Sequence, residues 1–160
     1  MIIRDIEEKD IEDFYKIKCE DHNIFWTGWD SKPKYENIKD FIIKSIENKN
    51  EKLSRKVYVI EDNKSIVGYM YLIPINNSDF DLPVALKYES VVKAKDVIKE
   101  GLLMAKKIGY KRLIGYIRED NIFSMKAYKN NGAIITNEYI EKYIPMLKKK
   151  IKLYKIEITL

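Results

Sequence analysis

The stretch REDNIFSMKAYKNNG, Arg118 to Gly132, sets Asn121, Ser124, Tyr128 and Gly132 at intervals of three, four and four residues. Asparagine and serine supply hydrogen-bonding groups, and the phenol of Tyr128 is a weak acid that can lend its proton to a base of similar strength, pKa about 10. A second cluster lies between Asp21 and Glu36. Phe25, Trp26, Trp29 and Tyr35 offer aromatic faces, and Asp21, Asp30 and Glu36 offer carboxylates. Rings and carboxylates together favour a cationic amine. The same aromatics also suit a roof over the core. His22, the sole histidine, falls in this cluster and reads as a surface or capping residue. The single Cys19 cannot form an internal disulfide and has no nearby partner to activate it, so it reads as a small buried side chain. No metal site is expected.

These residues need a frame. Around Tyr128 the apolar run Leu113–Ile117 predicts a strand, the polar residues after it a loop, and Ile122 onwards a short helix. Asp120 or Asn121 can cap that helix, and Gly132 can end it. Upstream, Ile2–Ile6 predicts a strand. Acidic residues at 7–10 then lead into a helix with Ile11, Phe14, Tyr15 and Ile17 on one face. Residues 22–34 show no period and are expected to be a loop. Tyr35, Ile38, Phe41, Ile42 and Ile46 predict the second helix. Val57–Ile60 and Ser65–Ile73 form a hairpin around Asp62-Asn63. A strand over Phe80–Tyr88 is interrupted by Pro83, which predicts a bulge or an edge. Val91–Gly109 is the strongest helical pattern. Ala133–Tyr143 and Leu147–Leu160 close the chain as strands, with a bulge expected near Leu153-Tyr154.

Composition bounds the rest. A chain of 160 residues is long enough for one domain, 1–160, with a real core. Its 46% hydrophobic and 34% charged residues exclude a disordered chain. No apolar run reaches the length of a membrane span, and MIIRDIEEKD lacks a signal peptide's hydrophobic centre; a cytoplasmic protein without membrane partners is expected. The net charge of +5 attracts phosphates mildly. Its lysines are spread over several elements with no nucleic-acid motif, so no nucleic-acid partner is expected.

The pattern N-x-x-S-x-x-x-Y-x-x-x-G at Asn121, Ser124, Tyr128 and Gly132 resembles the second half of the GNAT acetyltransferase core. The element order β-α-α-β-β-β-α-β-α-β-β is similar to that family over the full length. The resemblance implies an α+β / α/β fold: a mixed, mostly antiparallel sheet of about seven strands, flanked by four helices. It implies acetyl-CoA as co-substrate and a small-molecule or peptide amine as acceptor. A homodimer through the last strands is common in the family.

The resemblance also assigns roles. Tyr128 would return a proton to the departing thiolate. Asn121 and Ser124 would lie beside the pantetheine and phosphates. The family's phosphate loop falls on Val84 to Ala94 here: Val84, Tyr88 and Ala94 fit it, whereas Glu89 and Val92 depart. Val84, Ala85 and Leu86 would pair with the pantetheine, with an N–H near Ala85 serving the oxyanion. Val91, Val92, Lys93, Ala94 and Lys95 would meet the diphosphate at a helix N-terminus carrying about half a positive charge. Asp79, Asp81 and Glu89 stand open as the base. Trp26, Trp29, Asp30 and Tyr35 would wall the acceptor. The expected activity is acetyl transfer to a primary amine. The alternative is an acyl-CoA or ligand-binding module without turnover, favoured by the departures at Glu89 and Val92.

Overall fold

A computed structural model describes residues 1–160. The elements are β1 (Ile2–Asp5), α1 (Ile11–Lys18), α2 (Asp21–Thr27), α3 (Tyr35–Glu47), β2 (Lys56–Asp62), β3 (Ser65–Pro74), β4 (Asp79–Asp81), β5 (Val84–Leu86), α4 (Ala94–Ile108), β6 (Arg112–Arg118), α5 (Ile122–Lys129), β7 (Ile134–Ile144) and β8 (Lys149–Thr159). The strands lie in the order β1-β2-β3-β4-β6-β8-β7, with β5 paired to β3. Every pairing is antiparallel except β4 with β6. No helix is long and apolar enough to cross a membrane.

Alternation along the strands sends apolar side chains to two faces. On one face Met70, Leu72, Phe80, Leu82, Leu113, Ile117 and Ile156 pack beneath Val97, Ile98, Leu102 and Ala105 of α4 and Ala127 and Tyr128 of α5. On the other, Val57, Val59, Ile66 and Tyr69 pack beneath Ile11, Phe14 and Ile17 of α1 and Ile38 and Ile42 of α3. Helix α4 begins after an extended Lys93, carries Asp96 in its first turn and Lys106 and Lys107 in its last, and ends at Gly109 with φ +110°. The β2–β3 hairpin turns through Asn63 and Lys64, both at positive φ, which matches the right-handed strand twist.

Three details differ from the sequence expectation. The anticipated strand over Phe80–Tyr88 is two strands, because Leu82-Pro83 leaves the ladder. The anticipated loop contains α2, whose two turns are too short to show a period; it is held instead by tertiary bonds from Asn23 Nδ2 to Ile17 O and from Arg118 to Phe25 O. The bulge expected near Leu153-Tyr154 lies on the partner strand. β8 pairs with β6 in unbroken register, while in β7 the residues Thr136 to Glu138 stand opposite Lys155 alone.

β5 can lie against β3 because position 68 is a glycine. A Cβ there would stand 2.6 Å from the backbone oxygen of Ala85 and 2.6 Å from Leu86 Cδ2. Gly68→Ala must move β5 bodily. It is expected to lower the unfolding free energy by about 2 kcal/mol, read from urea titration. Stability equal to wild type would show that β5 does not need this close approach.

Candidate functional site

The site begins where the sheet divides. Pairing of β4 with β6 ends at Phe80–Leu113, yet β6 runs on to Arg118 beside β8. β5 stays with β3. Between β5 and the second half of β6 opens a cleft of about 700 Å3. Its wall on one face is α4 and α5; on the other it is α2 and the end of β7.

The bonds Lys87 N–H to Val67 O and Tyr71 N–H to Pro83 O bracket the pair Tyr69–Ala85. By antiparallel alternation Ala85 spends both its backbone groups on β3, while Val84 and Leu86 turn theirs into the cleft. The free N–H groups therefore belong to Val84 and Leu86, which corrects the expectation for Ala85. The Leu86 carbonyl is already taken. It accepts from His22 Nε2 at 2.9 Å and Asn23 Nδ2 at 3.2 Å, so Nε2 is a donor here, while Nδ1 faces Glu20 Oε2 at 3.4 Å. The Tyr88 N–H donates to Glu20 Oε2 at 2.9 Å. His22 is thus a clamp between α2 and β5.

At the break, Leu82 has no ladder partner, and two side chains replace it. Its N–H donates to Asp81 Oδ1 at 2.8 Å, and its carbonyl accepts from the Tyr128 hydroxyl at 2.6 Å. The broken backbone is satisfied by the two groups best suited to proton chemistry. Tyr128 is buried, and burial, with the Asp81 charge second, raises its pKa well above that of a free phenol, so it stays protonated. Asp81 keeps some exposed surface because it floors an open cleft, yet protein surrounds it closely. That burial raises its pKa to about 6, against the Leu82 N–H bond, which lowers it. Gly115 makes room for the carboxylate: a Cβ there would lie 2.8 Å from Asp81 Oδ1.

The other two carboxylates considered as bases lie elsewhere. Asp79 is tied to Arg112 by bonds of 3.1 and 3.0 Å, at the end of β4 away from the cleft. Glu89 is exposed on the turn after β5 and does not line the cleft. Neither residue that departs from the family pattern plugs the site: Val92 lines it, packed partly against the core.

Among the expected cofactor residues, Val84, Ala85, Leu86, Val92, Ala94, Asn121 and Ser124 line the cleft. Val91, Lys93 and Lys95 are exposed beside it. The N–H groups of Lys93, Ala94 and Lys95 find no acceptor in the chain, as expected at a helix start. Asn121 caps α5 through Oδ1 to the Ser124 N–H at 3.1 Å, while Asp120 is held by Arg118. These free donors, on β5 and at the start of α4, fit a ligand with amides and a diphosphate.

The acceptor wall differs more. Trp26 lines the cleft. Trp29 does not: its ring lies 4.7 Å from the Lys18 ammonium, which Phe14, Tyr69 and Tyr71 also surround. Burial, with the like charge of Arg55 second, lowers the Lys18 pKa to about 8. Tyr35 packs edge-on against Tyr15, and Asp30 is exposed, accepting from Ser31. What the sequence did not reveal is the far side of the wall. Tyr116, Arg118, Lys142, Ile144 and Leu153 line it, brought in by β6, β7 and β8. Buried Arg118 braces this wall, bonded to Asp120 at 2.9 and 2.7 Å and to Phe25 O at 2.7 Å, beneath the rings of Phe25 and Trp26.

No protein-family model matches the sequence, and no curated protein sequence matches it. Solved structures do match. A spermidine N-acetyltransferase from Vibrio cholerae, in complex with CoA and spermine, is similar with a TM-score of 0.86 and 16% identity, over 99% of this chain and 94% of that one. A ribosomal-protein-alanine N-acetyltransferase from Brucella melitensis gives 0.80 and 16%, over 100% of both chains. A GNAT superfamily phosphinothricin acetyltransferase from Sinorhizobium meliloti, with acetyl-CoA, gives 0.80 and 15%, over 99% of this chain and 88% of that one. The chain has the GNAT N-acetyltransferase fold.

The raised pKa of Asp81 links the site to stability. The unfolded carboxyl titrates near 4 and the folded one near 6, so between these values the folded state binds more protons. Stability from this group is therefore fully present below pH 4 and lost as pH rises through 6. Asp81→Asn keeps an oxygen for the Leu82 N–H but removes the buried charge. It is expected to stabilise the fold at pH 7 by about 2 kcal/mol and to flatten this part of the pH–stability curve, measured by denaturant titration. An unchanged curve would mean that the carboxylate is well solvated.

Proposed function

We propose that the protein is a GNAT N-acetyltransferase that moves an acetyl group from acetyl-CoA to a primary amine. The observation that carries this is the meeting of Asp81 and Tyr128 at the break in the sheet, beside the unpaired backbone of β5. The solved neighbours that carry CoA or acetyl-CoA support the same reading through their fold.

Acetyl-CoA supplies an acetyl group activated as a thioester. The N–H groups of Val84 and Leu86 face the cleft and hold the pantetheine and acyl carbonyl, while the free amides of Lys93, Ala94 and Lys95 receive the diphosphate. Main-chain donors do this irrespective of Val92 and Glu89, and the Asp81–Tyr128 pair beside them favours turnover over a binding module. The Asp81 carboxylate, ionised above about pH 6, takes the proton that the amine must lose. Tyr128 sits at the apex with its proton on the Leu82 carbonyl. To serve as general acid to the thiolate it swings that bond to sulfur and gives up the proton as the C–S bond breaks. The burial that raises its pKa holds the proton at rest and makes that transfer harder than from a free phenol, so the hydroxyl's first contribution is a hydrogen bond to the departing sulfur.

Acetyl-CoA at a hundred times its Kd is expected to stabilise the protein by about 2.7 kcal/mol, read as a rise in Tm. No rise with any acyl-CoA would sink both the enzyme and the binding module; a rise without thiol release from any amine would select the module.

Asp81→Asn is expected to lower kcat/KM about 100-fold and to remove an acidic limb near pH 6 from the pH profile. Tyr128→Phe is expected to lower kcat about tenfold with acetyl-CoA affinity retained. It also leaves the Leu82 carbonyl unpaired, costing about 1–2 kcal/mol of stability, so unfolding is followed in parallel. Full turnover in the phenylalanine variant would dismiss the acid role and leave Tyr128 as a structural bond.

A further inference from the structure

The charge lining the cleft identifies the acceptor more narrowly than "an amine". Among the lining side chains Asp81 is the one carboxylate, and it lies at the floor. Lys87, Arg118 and Lys142 line the same cleft. Arg118 is spent on Asp120, Phe25 O and the rings above it. Lys87 follows β5 directly, on the cofactor side. Lys142 is different. It projects from β7 on the face covered by α2, and its Nζ would stand 3.4 Å from a Cβ placed on Gly28, at the end of α2. It makes no salt bridge and no hydrogen bond within the chain, so its ammonium is free at the acceptor rim.

No carboxylate pairs with Lys142, and Glu20, before the start of α2, is taken up by the Tyr88 N–H and by His22. Glu138 and Glu157 both hold Lys155, at 3.0 and 3.1 Å. Asp120 is held down by its bonds to Arg118, with Lys149 adding a second positive charge nearby. Asp30, which would have supplied the rim carboxylate, lies outside the cleft. The rim is therefore net positive while the floor is negative. A diamine with its first nitrogen at Asp81 would carry its second cation up to Lys142, with no carboxylate to receive it.

We infer that the acceptor is an amine bearing an anionic group, a carboxylate or a phosphonate, whose amine reaches the floor beside Asp81 and whose anion is received by Lys142 at the rim. Trp26 and Ile144 wall the apolar span between. This rests on the proposed acetyl transfer and specifies its substrate class. Lys142 is a specificity residue: it touches the far end of the acceptor and takes no part in the proton transfers.

The test is a panel in matched sets. β-Alanine, 4-aminobutyrate, 5-aminopentanoate and glutamate are compared with their carboxamides, with alkylamines of equal length, with 2-aminoethylphosphonate and 3-aminopropylphosphonate, with a short peptide and with spermidine. Acetyl-CoA consumption gives kcat and KM separately. The anionic members are expected to exceed their amides in kcat/KM by about tenfold or more, the value of one charge-assisted hydrogen bond. The carboxylate and phosphonate arms tell which anion is preferred. Lys142→Ala is expected to abolish the difference through KM, and Lys142→Glu to turn the preference towards spermidine. Amides equal to their acids, spermidine or the peptide as best acceptor, or a preference that survives Lys142→Ala, would each overturn the inference. If acetyl-CoA binds but nothing is acetylated, the transfer reading fails on its own. Calorimetric binding of the panel to the CoA-loaded protein then decides: anion-dependent binding lost in Lys142→Ala supports the inference, and equal binding of acids and amides overturns it.

Discussion

A single interruption governs this protein: the backbone at Leu82-Pro83 leaves the sheet. A buried peptide unit outside a ladder must find other partners, since an unpaired buried polar group is costly. Here the partners are Asp81 on the N–H and Tyr128 on the carbonyl. Proline at 83 contributes by having no N–H to satisfy, while its carbonyl still accepts from Tyr71. The break thus creates the cleft and furnishes it in one step. β5 is carried away from β6, the Val84 backbone and the Leu86 N–H are left facing the cleft, and a carboxylate and a phenol are drawn to the apex.

The close packing around the break follows from two glycines and one clamp. Gly68 allows β5 to lie against β3, and Gly115 leaves room for the Asp81 carboxylate. His22, Asn23 and Glu20 fasten the outer edge of β5 to α2. Because α2 is in turn bolted to β6 by Arg118, the two lips of the cleft are joined through one short helix. A displacement of α2 would be felt at both lips.

The two faces divide the labour electrostatically. On the α4 and α5 face, free helix amides and lysines give a positive field suited to phosphates. On the α2 face, a free lysine stands at the rim over a single buried carboxylate. Of the aromatic residues near Asp30 only Trp26 lines the cleft; Trp29 instead joins Phe14, Tyr69 and Tyr71 around Lys18. A buried ammonium without a counter-ion is held there by ring faces and by the hydroxyl of Tyr71.

Much was legible in the linear chain. The order of strands and the longer helices followed from hydrophobic period, caps and turn residues, which are local properties. A cap at Asp120 or Asn121, the Gly109 stop and the disruption at Pro83 were readable for the same reason, and the structure chose Asn121 because Arg118 holds Asp120. Helix α2 was not, since two turns carry too little period and its bonds run to distant residues. Nor could the sequence choose among Asp79, Asp81 and Glu89. Their chemistry is identical; only burial and pairing separate them, and Arg112 and Gly115 lie more than twenty residues away. The same holds for Lys142, an unremarked lysine in a polar strand until β7 returns it to the rim, and for Trp29 and Asp30, which proximity in sequence had grouped with Trp26. Local rules determine which element a residue joins. Which charges remain unpaired is decided only when distant elements meet, because pairing and desolvation depend on distance in space.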